Sequence, residues 1–342
     1  RGRRARSAVP QGTAGNGASG RRAVLEGHTP QVVGPEVVLG RGGFAADTAP
    51  EGSLVAVPDG DGGWVVGATP AEARLSAGRV QGRRTTAGAV PPLEAPDGDW
   101  EAVLRTPWVE PAYLETDAAW CEPGGRPCSP LANGGAFGAK LESVAPAAAR
   151  ELADEHGRPV LVVLSREDTV RMGAKRPPVS GGARADGTGV LRVVRTPGIV
   201  EAVAAVAPGL VVEEVDVAGP PTSSSIRAAG WAEAVVLLTG AGAMDGPVVS
   251  PDGASATAAV GDDGISVTVR CGDPLDATVL RSYCVGAAHM AWSWITSEAL
   301  SVDGDGTVHD LTVRSFGVVR ATDTPTISVV IEDDDGEPVN GS

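Results

Sequence analysis

Aromatic side chains are scarce: three Phe, two Tyr and seven Trp make up 4% of 342 residues, within an ordinary apolar fraction of 42%. Val, Ala and Leu must therefore fill most of any core. Histidine and cysteine number four each. His28, His156, His289 and His309 form no cluster along the chain, and Cys121, Cys128, Cys271 and Cys284 fit no CxxC spacing for zinc or iron–sulfur. No metal ligand set is read from either. Basic residues are outnumbered, 28 against 43 acidic, for a net charge of −15. Nucleic-acid affinity rests on clustered Lys and Arg, so DNA and RNA are excluded as partners. No run approaches the ~20 apolar residues of a membrane span. The arginines at the start (Arg1, Arg3, Arg4, Arg6, then Arg21 and Arg22) are not followed by the apolar stretch an export signal needs. The expected location is therefore cytoplasmic, with the cysteines as reduced thiols. Only Cys121 and Cys128, on a Pro/Gly-rich loop, are placed for a disulfide.

What is abundant is Gly (47) and Pro (27), which favours short elements joined by many turns. The expected fold class is α+β, a mixed α/β arrangement of short mixed sheets with packed helices. Four regions are expected: a flexible basic tail over 1–31, an N-terminal α+β region over 32–130, and two further domains over 131–240 and 241–342. Val-rich segments separated by turns such as Pro58-Asp-Gly-Asp-Gly-Gly63 read as strands. Trp64–Arg74 reads as a strand running into a helix, with Thr69 as N-cap and Pro70 at the first helical position. A helix over Ser143–His156, capped by Ser143 and ended by Gly157, leads to a buried strand at Val160–Leu164. A helical stretch is expected over Arg281–Leu300 and a turn at Asp303–Gly306.

The loop Gly134-Gly-Ala-Phe-Gly-Ala-Lys140 precedes that first long helix. Glycines let backbone N–H groups approach an anion, and a helix N-terminus adds positive potential. A nucleotide P-loop is excluded, because only three residues separate Gly134 from Gly138 and Ala139 precedes Lys140. A dinucleotide fingerprint also fails, since no strand leads directly into the loop. Taken alone, the loop reads first as a plain tight turn, because lone glycine motifs are weak. Ser223-Ser-Ser225 reads as a polar turn or an anion contact, and Trp292 and Trp294 as core or interface.

The order and spacing of several segments carry more. Gly134–Lys140, Gly157-Arg-Pro-Val160, Leu164-Ser-Arg-Glu-Asp168 and Gly173-Ala-Lys-Arg-Pro177 together resemble the central signature of the molybdenum hydroxylase (xanthine/aldehyde dehydrogenase) family, in its molybdopterin-binding subunit. Ala68–Arg74, Arg105–Glu115, Ile226-Arg-Ala-Ala-Gly230, Cys271-Gly-Asp-Pro274, Gly286-Ala-Ala288, Thr296-Ser-Glu298, Thr322–Pro325 and Gly336-Glu-Pro338 follow in the family's order. The chain is shortened and divergent: Tyr283 stands where the family has a glutamine, Ala136 where it has a glycine, and substrate-domain segments are missing.

The resemblance implies a molybdopterin-binding-subunit-like fold with a molybdenum-molybdopterin cofactor faced by Gly134, Gly135, Ala136, Phe137, Gly138, Arg227, Ala228, Gly230, Tyr283 and Gly286. It implies Glu337 as catalytic base, the carboxylate that general base chemistry beside a metal needs. Read without the resemblance, Glu332-Asp-Asp-Asp-Gly-Glu337 is a solvated acidic turn. The implied activity is hydroxylation of an aldehyde or N-heterocycle, a small-molecule substrate, with water as oxygen source. Partner subunits would carry FAD and [2Fe–2S] clusters, since this chain has no cysteine set for a cluster. Two alternatives stand beside it: a non-catalytic, degenerate member acting as a structural or assembly subunit, and a small-molecule binding module without redox chemistry.

Overall fold

The computed structural model describes residues 38–39, 43–78, 88–128, 136–274 and 276–339. The expected basic tail, Gly134 and Gly135 lie outside them. Among the described residues three four-stranded sheets form the frame, and each contains one parallel pair among antiparallel ones. The fold is a mixed α/β arrangement of short sheets and helices, as the composition indicates.

The first sheet joins β1 (Leu54–Pro58), β2 (Trp64–Gly67), β4 (Ala118–Cys121) and β5 (Val160–Val163) in the order β2-β1-β5-β4. Asp59 closes the β1–β2 turn by accepting from the N–H groups of Asp61 and Gly63. A short helix, α1 (Ala45–Thr48), lies against β4. After β2 comes α2 (Pro70–Ala77), where the Thr69 hydroxyl accepts from Glu72 N–H and Pro70 occupies the first turn. A cap of this kind contributes about 1 kcal/mol. The main cover of the sheet is α3 (Ala145–His156), which buries Ala145, Ala148, Ala149, Leu152 and Ala153 in one stripe. It ends as expected at Gly157, left-handed at φ 62°. Its start differs from expectation: Val144 is the N-cap, and the Ser143 hydroxyl accepts from Ala145 N–H just before it. Pro146 fixes this start, because its missing N–H costs nothing in the first turn.

The second sheet has the order β3-β6-β7-β8, from β3 (Ala102–Arg105), β6 (Val179–Ala183), β7 (Gly189–Val194) and β8 (Leu210–Val215). A helix with a Ser165–Asp168 capping box, α4 (Arg166–Met172), precedes β6 in the chain. Packed on this sheet are α5 (Ile199–Ala204) and α6 (Trp231–Gly240), which with Leu191, Val193 and Leu237 make the largest apolar cluster. The third sheet, β12-β11-β10-β9, comprises β9 (Val248–Val249), β10 (Ser255–Gly261), β11 (Gly264–Arg270) and β12 (Ile327–Ile331). It packs on α7 (Ala277–Thr296), which starts earlier than Arg281 because Asp276 caps it through the N–H groups of Thr278 and Val279. The turn at Asp303 forms as expected, with its carboxylate accepting from Asp305 and Thr307 N–H.

Between the sheets, isolated bridges tie three loops together: Trp108 to Leu300, Val109 to Arg176, and Lys175 to Thr222. These bridges place residues 106–113, 173–177 and 222–230 at one junction beside the C-terminal half of α7. All four cysteines are free thiols, and Cys128 Sγ accepts from Trp120 N–H at 2.9 Å. The disulfide position on the Cys121–Cys128 loop is thus unused.

Candidate functional site

Two loops singled out in the sequence meet here. The backbone N–H of Arg227 donates to the Phe137 carbonyl at 3.2 Å. Gly138, at φ 88°, passes so close that a Cβ there would lie 1.8 Å from the Ser225 carbonyl oxygen. Only glycine permits that approach. Among the described residues four non-glycine residues hold a left-handed φ: Ala112 (62°), Phe137 (54°), Arg227 (49°) and Ala228 (59°). The last three flank this one contact. The fourth adjoins Tyr113, which packs with Ala139, Ala174 and Ile226 in a small buried cluster at the same place. Strained residues of this kind cost about 1–3 kcal/mol each and gather at functional sites.

Charge inside the junction is matched pair by pair. Arg176, 2% exposed, forms a two-pronged pair with the carboxylate of Glu233, 0% exposed, one arm at 2.9 Å. Its Nε donates to the Arg227 carbonyl at 3.1 Å, and its guanidinium lies 4.0 Å from the Trp294 ring centre. Arg227 in turn donates to Glu298 at 2.5 Å and to the Met290 carbonyl at 2.8 Å. Lys175 Nζ stands 3.0 Å from Glu110 Oε2 and donates to the Gly173 carbonyl at 2.6 Å. Neither Glu110 oxygen receives a well-directed hydrogen bond among the described residues. Lys140 pairs with Glu115 at 2.6 Å. Every one of these four cations therefore has a carboxylate at hand. Burial is the largest influence on Glu233 and pushes its carboxyl up, with Arg176 opposing it. Burial likewise pushes the Tyr113 hydroxyl up, aided by its 2.8 Å hydrogen bond to Asp117.

Of the residues expected to face a cofactor, Ala136, Phe137, Gly138, Arg227, Ala228 and Gly230 come together. Phe137 is 36% exposed. Tyr283 and Gly286 lie on α7, Tyr283 exposed and Gly286 with open space beside it. Glu337 lies elsewhere: its backbone carbonyl packs on Gly272, and Asp273 N–H donates to Gly336 at 2.9 Å. Gly272 precedes the start of α7, whereas Arg227 reaches Met290. Cys271, beside Gly272, packs in one apolar cluster with Leu280 and Cys284 of α7. Glu337 is exposed, on a turn braced by the Asp334–Arg270 pair.

Sequence reading passed over Arg176, Glu233, Glu298, Glu110 and Lys175 as site residues. A signal was present in Glu233, a lone carboxylate in the apolar helix Trp231-Ala-Glu-Ala-Val-Val-Leu-Leu, because a charge on a buried helix demands a partner. The Ser223 hydroxyl accepts from Ser225 N–H and the Ser224 hydroxyl donates to the Pro197 carbonyl, so both are engaged within the protein as a polar turn. No group of three or more His, Cys, Asp or Glu suited to a metal occurs among the described residues, and no described helix is long and apolar enough to cross a membrane. One surface cavity lies away from the junction and another borders it at Thr222. The first, of about 20 Å³, lies between Arg74 and Glu167; the other, of about 560 Å³, is an open depression lined by Arg195, Asp216 and Pro220.

No family model and no curated protein matches the sequence. Among solved structures, the chain is similar to quinoline 2-oxidoreductase from Pseudomonas putida 86, at 14% identity and a TM-score of 0.34, over 56% of this chain and 43% of that one. It is also similar to the aldehyde oxidoreductase of Desulfovibrio gigas, at 15% identity and a TM-score of 0.27, over 56% of this chain and 35% of that one. The match spans less than half the length of either protein.

Proposed function

We propose that the chain binds a molybdenum-molybdopterin cofactor at the Phe137–Arg227 junction, as part of an oxidoreductase that hydroxylates an aldehyde or N-heterocycle with water as oxygen source. The observation that supports this reading is the meeting of the two loops at the Arg227-to-Phe137 hydrogen bond, with three left-handed non-glycine residues around it. The order of sequence segments pairs those loops with one cofactor, and backbone strain persists only where the surroundings over-determine it.

The junction suits such a group on its uncharged side. Phe137, half-open on a fixed backbone, and Gly138, Ala228 and Gly230 would hold the ring system, with Gly134, Gly135 and Ala136 completing the loop. Tyr283 and Gly286 would flank it from α7. Because Arg176 and Arg227 are already paired, an anionic end would rest on backbone N–H groups. When bound, the cofactor supplies Lewis acidity and a two-electron acceptor. Glu337 lies apart from the junction, on Gly272, and would serve as general base only if the reactive end of the cofactor reaches it. Burial pushes the thiols of Cys121, Cys128, Cys271 and Cys284 up, and a thiolate is what ligates iron. Electrons would therefore leave through partner subunits carrying [2Fe–2S] and FAD.

A second reading, a non-catalytic structural or assembly subunit, is favoured by two facts: the junction cations are all matched, and Glu337 sits beside Gly272. Metal and pterin analysis of the full chain purified with co-expressed partners decides between them. Stoichiometric molybdenum and pterin support the enzyme. Metal-free protein that still assembles overturns it in favour of the structural role.

A further inference from the structure

Charge at the junction is balanced as well as paired. Beside the four cation–carboxylate pairs stands Arg166, which donates to the Tyr113 and Leu114 carbonyls and lies 5.7 Å from the Tyr113 ring centre. Its counterweight is Asp117, which accepts from the Tyr113 hydroxyl at 2.8 Å. Both are near enough to act on Lys175, in opposite senses. The junction thus holds as many carboxylates as cations. Its open surface carries no cation either. Among the described residues of segments 109–117, 136–144, 173–177 and 222–230, the exposed side chains are Leu114, Phe137, Leu141, Val144, Glu142 and Ser225. Leu114 is 84% exposed and Leu141 60%.

We propose that the junction selects an uncharged substrate, an aldehyde or N-heterocycle without a carboxylate or phosphate, and rejects the anionic analogue. The inference rests on the reading of the junction as the cofactor and substrate site. An anion that leaves water loses its hydration and recovers it only from a cation or donor still free to meet it. Here each guanidinium and ammonium is already held. The backbone N–H groups left for an anion go to the anionic end of the cofactor. A second negative charge then meets balanced pairs, the exposed Glu142 and a chain of net charge −15. A neutral ring meets Phe137 and the leucines beside it and leaves no charge unpaired. Transfer of apolar surface onto such side chains is favourable in itself.

Inert ketones test this without turnover, on the full chain purified with co-expressed partners. Acetophenone and 4-acetylbenzoate share a ring and a carbonyl and differ by one carboxylate. Isothermal titration is expected to give at least ~10-fold tighter binding of acetophenone, the scale of one unmatched charge at a partly buried site. Glu298→Gln keeps an acceptor for Arg227 but removes the negative charge, so it narrows that preference about 10-fold. Glu115→Gln, at the pair that is partly exposed, does the same beside Lys140 and serves as the second variant if the first does not fold. Molybdenum and pterin content of the same samples separates two failures. With cofactor present, equal binding of the two ketones, or a preference that neither folded variant changes, overturns the charge inference alone. With cofactor absent and neither ketone bound, the cofactor reading itself has failed and this inference falls with it.

Discussion

Arg227 N–H and the Phe137 carbonyl stand 3.2 Å apart, joining two residues that both hold a left-handed φ, 49° and 54°. For an L-residue this conformation costs about 1–2 kcal/mol. Ala228 beside them, at 59°, has no side-chain role that its backbone strain would serve. Ala228→Gly is expected to raise stability by about 1 kcal/mol, read as a higher urea midpoint at unchanged slope. An unchanged or lower midpoint would count against strain at this site.

Gly138 gives the opposite result. A Cβ there would strike the Ser225 carbonyl, and φ is 88°. Gly138→Ala should cost more than about 2 kcal/mol in the same assay, because the loops must part to admit a methyl group.

The Arg176–Glu233 pair is wholly buried. Removing one partner strands a charge, so Glu233→Ala is expected to cost about 3–5 kcal/mol, while the double change Arg176→Met with Glu233→Leu costs much less. The double-mutant cycle measures the coupling directly. If the double variant is as unstable as the sum of the singles, the pair is not coupled.

Alkaline titration reports on Tyr113. Its hydroxyl is pushed up by burial and then by Asp117, whereas in the unfolded chain tyrosine ionises near ~10. The unfolded state thus loses its proton first, and stability falls as pH rises above ~10. In Tyr283→Phe, which leaves Tyr113 as the chain's only tyrosine, phenolate absorbance should appear only with loss of the circular dichroism signal. Phenolate in a folded protein would refute a sealed Tyr113. Tyr113→Phe should flatten the alkaline slope.

Glu337→Gln tests the base. If the proposed activity holds, molybdenum content is unchanged and substrate-dependent dye reduction drops about 10²–10⁴-fold. Equal activity in the variant would return Glu337 to the role of a solvated turn.

The features legible in the sequence are those whose physics is local. Thr69 and Pro70 start α2, Gly157 ends α3, and Asp59 and Asp303 close turns, each through atoms within four residues of one another. The strand Val160–Val163 was legible because a short, unbroken apolar run has few other places to go. Ser143 shows the boundary of that method: two adjacent positions could cap, and Pro146 decided.

By itself, then, the sequence determined turns, caps, the buried strand and the two loops worth watching. Tertiary structure alone decided that Arg176 meets Glu233, that Arg227 meets Glu298, and that Glu337 rests on Gly272. Those partners are 57 and 71 positions apart in the first two cases. Nothing in the chain's local chemistry selects one carboxylate among 43 acidic residues. The choice is made when the three sheets pack and their bridges close, because a buried charge keeps only the partner that burial places beside it.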